Sequence, residues 1–388
     1  MAGYNTQGTR CIMQRTHLMP QTLFCLGGYE LNRYQTYPHS NGFTVDGREM
    51  VIVQMMPDHT SLWMLPIDRL DIQPQTISPG RRIASFDLPQ PVSDKPPITV
   101  WPDIALHKNV LTLAVQDTVW LLDLTESPVR PQILYVAPKG WKLTDLTSLK
   151  PDGSAVCFGV RAEEAGIYQG LEVDTATGHV TTVIQTNWYV NHFHYCPHDP
   201  DWLGYCHEGP TEQIPDRMHA MHPTHLPKGQ CIFDQQSDEP GKLLCVGHER
   251  WCYHEAAAIT IAYGVSPAGP RGLYHINPHA DQPARLISEG DRDWHCNVTR
   301  DGKHMVVDTT GPSDEPGSGW HNAKGVSDVL HVNPQTGYRT LLARTRHRMQ
   351  PWHPHPTFSP DGRWVFFNDY NGNDDNPRGR VGCVPVAQ

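Results

Sequence analysis

Four times the chain sets an Asp-Gly pair between apolar, β-branched runs: GFTVDGREMVIV (42–53), SLKPDGSAVCFG (148–159), NVTRDGKHMVVD (297–308) and TFSPDGRWVFFND (357–369). Asp and Gly both accept the positive φ that tight turns require, so each phrase predicts a β-hairpin. A second phrase alternates with it, in which one strand ends at an Asp or Asn turn and another begins. It reads SLWMLPIDR (61–69), DTVWLLDLTES (117–127), GLEVDTATGHVTTVI (170–184), GLYHINPHADQPARLI (272–287) and VLHVNPQTGYRTLLA (329–343). Pairs of hairpins recurring about every 50–60 residues describe four-stranded blades, and such a period points to a β-propeller. Over 388 residues the expectation is an all-β, seven-bladed β-propeller of four-stranded blades, a single domain over 1–388, with six or eight blades left open. A two-domain β-sandwich is the competing architecture, but sandwiches do not usually repeat one phrase across the whole chain.

Composition agrees with a turn-rich β fold: 35 prolines and 32 glycines leave little room for long helices. A net charge of −10 with no basic run argues against nucleic acid as a partner. No apolar stretch reaches membrane-spanning length, the N-terminus lacks the apolar core of an export signal, and the ten cysteines form no CxxC pair. These features predict a cytoplasmic protein with no membrane partner. Nothing in the sequence fixes the oligomeric state.

The 23 histidines cluster between 189 and 254 and between 294 and 355. The densest segment is MQPWHPHP (349–356), where three prolines exclude a helix or central strand and stiffen an extended loop. Residues two apart in an extended chain project to one side, so His353 and His355 form a fork suited to a metal. His295, in DWHCNVTRDG, occupies the equivalent place one repeat earlier and is the expected third nitrogen ligand, with the Gln350 amide oxygen as a fourth. Three imidazoles and a neutral oxygen suit Mn²⁺, Fe²⁺, Co²⁺, Ni²⁺ or Zn²⁺, and leave the metal charge free to hold an anion. The bland alternative is a proline-rich surface loop.

Two further segments carry candidate chemistry. YCHEGPTEQIPDRMHAM offers His207, Glu208, Arg217 and His219, and VGHERWCYHEA offers His248, Glu249, Arg250, Trp251, His254 and Glu255. A histidine beside a tryptophan can accept a proton next to an apolar sugar face, and arginine presents a planar fork to a carboxylate. Each histidine alone reads equally as a structural hydrogen-bonder. HERWCYHE is not a zinc-protease motif, because Cys252 stands where H-E-x-x-H needs its second histidine.

The ordered series CHEGP with Arg217, GHE with Trp251, His295 before a hairpin, and Q-x-x-H-P-H-P resembles the oligogalacturonate lyase family, most strongly over 190–370. That resemblance implies a seven-bladed propeller in which His295, Gln350, His353 and His355 hold a divalent ion, most often Mn²⁺. It implies His248 as the base and Arg217 as a catalytic and substrate-binding cation. His207, Arg250 and Trp251 are the remaining expected substrate contacts. The implied reaction is β-elimination across a 4-linked uronate oligosaccharide, giving a 4,5-unsaturated product. Two departures are visible: Thr211 follows CHEGP where the family has an aromatic, and GHERW replaces GHEFW. They keep open a lyase for a glucuronate- or rhamnose-linked uronate. A non-catalytic, TolB-like scaffold is the alternative from another class, and it explains the hairpins but not the histidine and glutamine series.

Overall fold

The computed structural model of the chain describes residues 24–26, 28–68, 70, 80–88, 99–236, 241–280, 284–346, 350–371 and 378–386; the N-terminal stretch read for an export signal and Met349 lie outside them. Seven antiparallel sheets of four strands each form the blades. Blades 1 to 6 span residues 33–87, 103–136, 142–186, 190–231, 246–289 and 293–346. Blade 7 takes three strands from residues 357–385 and its outermost strand, Phe24–Cys25, from the other end of the chain. Phe24 pairs with Cys383 and Cys25 with Gly382, so main-chain hydrogen bonds close the ring.

The Asp-Gly phrases sit where their chemistry predicts, between the inner and second strands of blades 1, 3, 6 and 7. The four glycines have φ of 68°, 75°, 71° and 72° (Gly47, Gly153, Gly302, Gly362), a region a side chain would strain. The preceding aspartates satisfy the turn: Asp301 Oδ1 accepts from Thr299 Oγ1 at 2.8 Å and from Lys303 N at 3.1 Å, and Asp361 does the same with Ser359 and Arg363. The Asp and Asn turns of the second phrase join third to fourth strands. Asp174 accepts from the amides of Ala176 and Thr177.

The middle strands are apolar on both faces because successive side chains serve two neighbouring blades. In Trp364–Tyr370, Phe366 packs with Phe43, Met50 and Ile52 of blade 1, while Phe367 packs with Val306 and Val329 of blade 6. Such two-sided packing fixes the angle between blades and aims the seven inner strands at one axis.

Those inner strands are bent where it matters. Blades 4, 5 and 6 each carry a bulge in which two residues face one on the second strand: His192–Phe193, His248–Glu249 and Trp294–His295. Blade 3 is irregular at the same level, between Leu143 and Thr147. A bulge breaks the two-residue alternation and re-aims side chains. His192 and His248 occupy it with φ of 55° and 54°, and His355 in blade 7 has φ of 49°. Positive φ at a non-glycine residue is uncommon and collects at functional sites.

Candidate active site

The loop before the inner strand of blade 7 is held by buried side chains that bond its main chain. Asn368 Nδ2 donates to Pro351 O and His353 O, both at 3.0 Å, and the Asn368 amide donates to Pro354 O at 2.7 Å. Gln35, from blade 1, donates through Nε2 to His355 O and to Phe366 O, and its Oε1 accepts from Thr357. Asp308, from the second strand of blade 6, accepts the His355 amide at 3.0 Å and the His295 amide at 2.7 Å. The fork expected at His353 and His355 therefore exists, but the left-handed backbone at His355, rather than a straight extended segment, sets its shape.

The structure brings the three imidazoles near one another. Ring centres lie 4.3 Å apart for His295 and His355, 5.3 Å for His295 and His353, and 5.8 Å for His353 and His355. A metal–nitrogen bond of about 2.1 Å places each ring centre roughly 3 Å from an ion, so two rings on one ion stand about 4.5–5.3 Å apart. The His295–His353 pair meets that spacing, whereas His295–His355 is slightly shorter and His353–His355 longer, so the rings would shift to share one ion. Four polar atoms of the set lack protein partners: His295 Nε2, both ring nitrogens of His355, and Gln350 Oε1 are buried without a hydrogen bond. Buried polar atoms are almost always paired, and this orphaned group is what a cation-binding set leaves when described without its ion. His295 Nδ1 donates to Asp308 Oδ2 at 2.9 Å, fixing the tautomer that turns the Nε2 lone pair inward. Burial, reinforced by neighbouring imidazoles, holds His295 and His355 well below the usual histidine range, so both rings are neutral, the form a metal would require.

His248 stands beside this set, its ring centre 4.0 Å from that of His295. Its Nδ1 donates to Trp294 O at 2.5 Å, leaving Nε2 as the basic nitrogen. Burial, then His192, pulls its pKa down to about 3. Behind it, His192 Nε2 lies 3.7 Å from Glu208 and Nδ1 lies 3.9 Å from Glu249, whose carboxylate oxygens are buried without a hydrogen bond.

The remaining expected contacts are placed differently. Arg217 is buried and commits Nε to Val246 O, one Nη to Gly209 O and the other to Glu208 at 3.2 Å. It fixes Glu208 beside His192, with only part of its fork left for a carboxylate. Arg250 bonds Pro38 O and the Tyr253 hydroxyl, and it lines a small recess shared with Ser40, Asn297 and Arg300, which none of the site histidines lines. Trp251 is 1% exposed in the core, its Nε1 donating to His194 O at 3.1 Å, so it offers no face to a sugar. His207 bonds Asp216 at 2.8 Å and packs against Trp188, in a cluster with His219 on blade 4.

Sequence reasoning missed several neighbours. Tyr37 lies among four of the imidazoles, with ring centres 5.4 Å from His192, 6.4 Å from His248, 6.1 Å from His295 and 5.2 Å from His355. The half-buried Trp294 packs 5.0 Å from His248, and Trp320 5.6 Å from His353. Asp308, Asn368 and Gln35 were missed as well. Trp294 was signalled by its adjacency to His295 and Tyr37 by the YPHSNG segment, whereas the three polar clamps carry no local signature.

The oligogalacturonate lyase family model matches residues 165–378, just over half of the chain. The chain belongs to the oligogalacturonate lyase family. Every candidate ligand, and His248, falls within the matched span. Curated relatives include an oligogalacturonate lyase of Dickeya dadantii strain 3937, 26% identical over 211 residues, and an oligogalacturonide lyase of Pectobacterium atrosepticum, 26% identical over 215; each alignment covers 52% of this chain and 52% of the relative. The chain thus spans about half the length of the curated relatives it matches. Among solved structures, an oligogalacturonate lyase in complex with manganese superposes with a TM-score of 0.72 at 17% identity, covering 95% of this chain and 94% of that one. One from Vibrio parahaemolyticus superposes at 0.71, also at 17% identity, with the same coverage. At that identity the two superpositions establish the shared propeller fold alone.

Proposed function

We propose that this chain is a metal-dependent lyase that cleaves 4-linked oligogalacturonate by β-elimination to a 4,5-unsaturated uronate. The observation that carries the reading is the cluster of the His295, His353 and His355 rings, with His295 Nε2 and both His355 nitrogens buried without partners, against an imidazole, His248, whose tautomer is fixed. We assign Mn²⁺, the ion named for the structural neighbour, to His295, Gln350, His353 and His355, a neutral donor set that Mn²⁺ accepts.

The C5 proton of a uronate is weakly acidic because the adjacent carboxylate is already negative. When bound, the divalent ion supplies the positive charge that offsets the carboxylate and the charge developing as the proton leaves. His248 Nε2 takes the C5 proton, while the Nδ1–H bond to Trp294 O keeps the lone pair aimed at the substrate. The C–H electron pair forms the C4=C5 double bond as the C4–O bond breaks, and the departing oxygen takes a proton from water. The imidazolium so formed is balanced by the carboxylates of Glu208 and Glu249 beyond His192. Arg217 acts as a positioning residue that fixes Glu208. Trp294 and Trp320 supply the apolar walls first sought at Trp251. The described cysteines are all free thiols, which supports a reducing cytoplasm, and no helix among the described residues is long and apolar enough to cross a membrane.

The test is direct. Purified protein loaded with Mn²⁺ should produce the ultraviolet absorbance of an unsaturated uronate from digalacturonate. Turnover of a glucuronate- or rhamnose-linked oligosaccharide but not of digalacturonate would transfer the assignment to that substrate. A second expectation concerns Asp308. Asp308→Asn keeps the volume but weakens the bond that orients His295, so Mn²⁺ affinity should fall about 10–100-fold by calorimetric titration. Unchanged affinity would remove Asp308 from the orienting role.

A further inference from the structure

Outside the channel, at the end of the blade 5 inner strand, three chemically different donors already converge. One ligand atom each from Cys252, Glu255 and His275 lies within 4.8 Å of the others. Glu255 Oε1 sits 2.8 Å from His275 Nε2 and 3.0 Å from His254 Nε2, so two imidazoles and one carboxylate oxygen share a point beside a thiol. The scaffold is short and rigid: Cys252 and Ala257 close a turn through a 2.7 Å main-chain bond, and His275 arrives from the third strand, paired opposite Ile259. The His254 ring rests on the Gly302 turn of blade 6, where a Cβ would lie 2.3 Å from its Cε1. Cys252 is fully buried while Glu255, His254 and His275 are partly open, giving sulfur at the base and a path to solvent above it.

We propose that Cys252, His254, Glu255 and His275 form a second metal site, selective for Zn²⁺ rather than the ion of the channel. A thiolate favours borderline metals such as Zn²⁺ over Mn²⁺ or Mg²⁺. Tetrahedral Zn²⁺, with bonds of about 2.0–2.3 Å, holds its ligand atoms roughly 3.3–3.8 Å apart, so Cys252, Glu255 and His275 need move only by about 1 Å, while His254, which reaches the group through Glu255, would swing further to complete the set. The Cys252 thiol gives its proton to solvent as sulfur binds, and the protons now shared between Glu255 and the imidazoles are displaced in the same step. Cys252 ends the strand Val246–Trp251 that carries His248, so the ion would pin the base's strand at its far end.

Cobalt substitution separates this site from the channel, whose candidate ligands include no sulfur. Chelator-stripped protein titrated with Co²⁺ should develop a near-ultraviolet thiolate-to-cobalt charge-transfer band that Zn²⁺ abolishes. The band should disappear in Cys252→Ser and persist in the His353→Ala/His355→Ala variant. Should the Cys252 variant not fold, Glu255→Gln and His275→Ala carry the test, each weakening Co²⁺ binding by more than the about 10–100-fold typical of an outer-sphere change. A titration with no such band, or a band undiminished in Cys252→Ser, overturns the site. Neither outcome depends on turnover of any saccharide.

Discussion

Replacing His353 and His355 together by alanine should strip the channel of its divalent ion and lower turnover of digalacturonate by at least about 10³-fold, the equivalent of ~4 kcal/mol of lost charge stabilisation. The substitution is unusually clean. Asn368, Gln35 and Asp308 hold this loop through the carbonyls of Pro351, His353, Pro354 and His355 and the amide of His355, not through the imidazoles. Alanine keeps those bonds and removes two ring nitrogens that are buried without partners in His355. The thermal unfolding midpoint of the metal-free protein should fall only by the packing lost with the two buried rings, with the fold retained, while elemental analysis falls by one channel ion per chain. A metal-free variant with full activity would sink the proposed mechanism.

How much of this was legible in the sequence follows from where each signal is local. The Asp-Gly turns are local chemistry, and they marked blades 1, 3, 6 and 7. Blades 2, 4 and 5 lack the pair: blade 4 turns through the Asp199 region and blade 5 through Cys252–Ala257. The blade count therefore stayed open until the sheets were seen. Gln350, His353, His355 and His295 were readable because each precedes a marked hairpin. The bulges were not readable, since two residues opposing one is a property of strand pairing rather than of either strand. Trp251 was read from its nearness to His248 in sequence, but it follows the bulge at His248–Glu249, pairs with Ala258 and packs into the core. The apolar walls come instead from Trp294, one residue before His295, and from Trp320 in a loop with no motif. Asp308 closes a hairpin phrase as one more strand residue; only the fold shows that it ties two candidate ligands together.

His248→Ala should separate proton transfer from metal binding. Losing a positioned general base costs about 10²–10⁴-fold in rate, so kcat on digalacturonate should fall within that range while KM changes little. Metal content should stay at the wild-type level, because His248 spends Nδ1 on Trp294 O and lies outside the four-residue ligand set. Stability should also hold, since histidine already bears the positive φ of 54° that alanine would inherit. The neighbouring ring makes the result decisive. His192 shares the same bulge geometry one blade earlier, and its ring nitrogens lie 3.7 Å from Glu208 and 3.9 Å from Glu249. If His248→Ala retains activity and His192→Ala loses it, the base is His192, the ring that lies directly against the two carboxylates. If only His248→Ala loses activity, those carboxylates act one residue removed, on the imidazolium that forms at His248 when the C5 proton arrives.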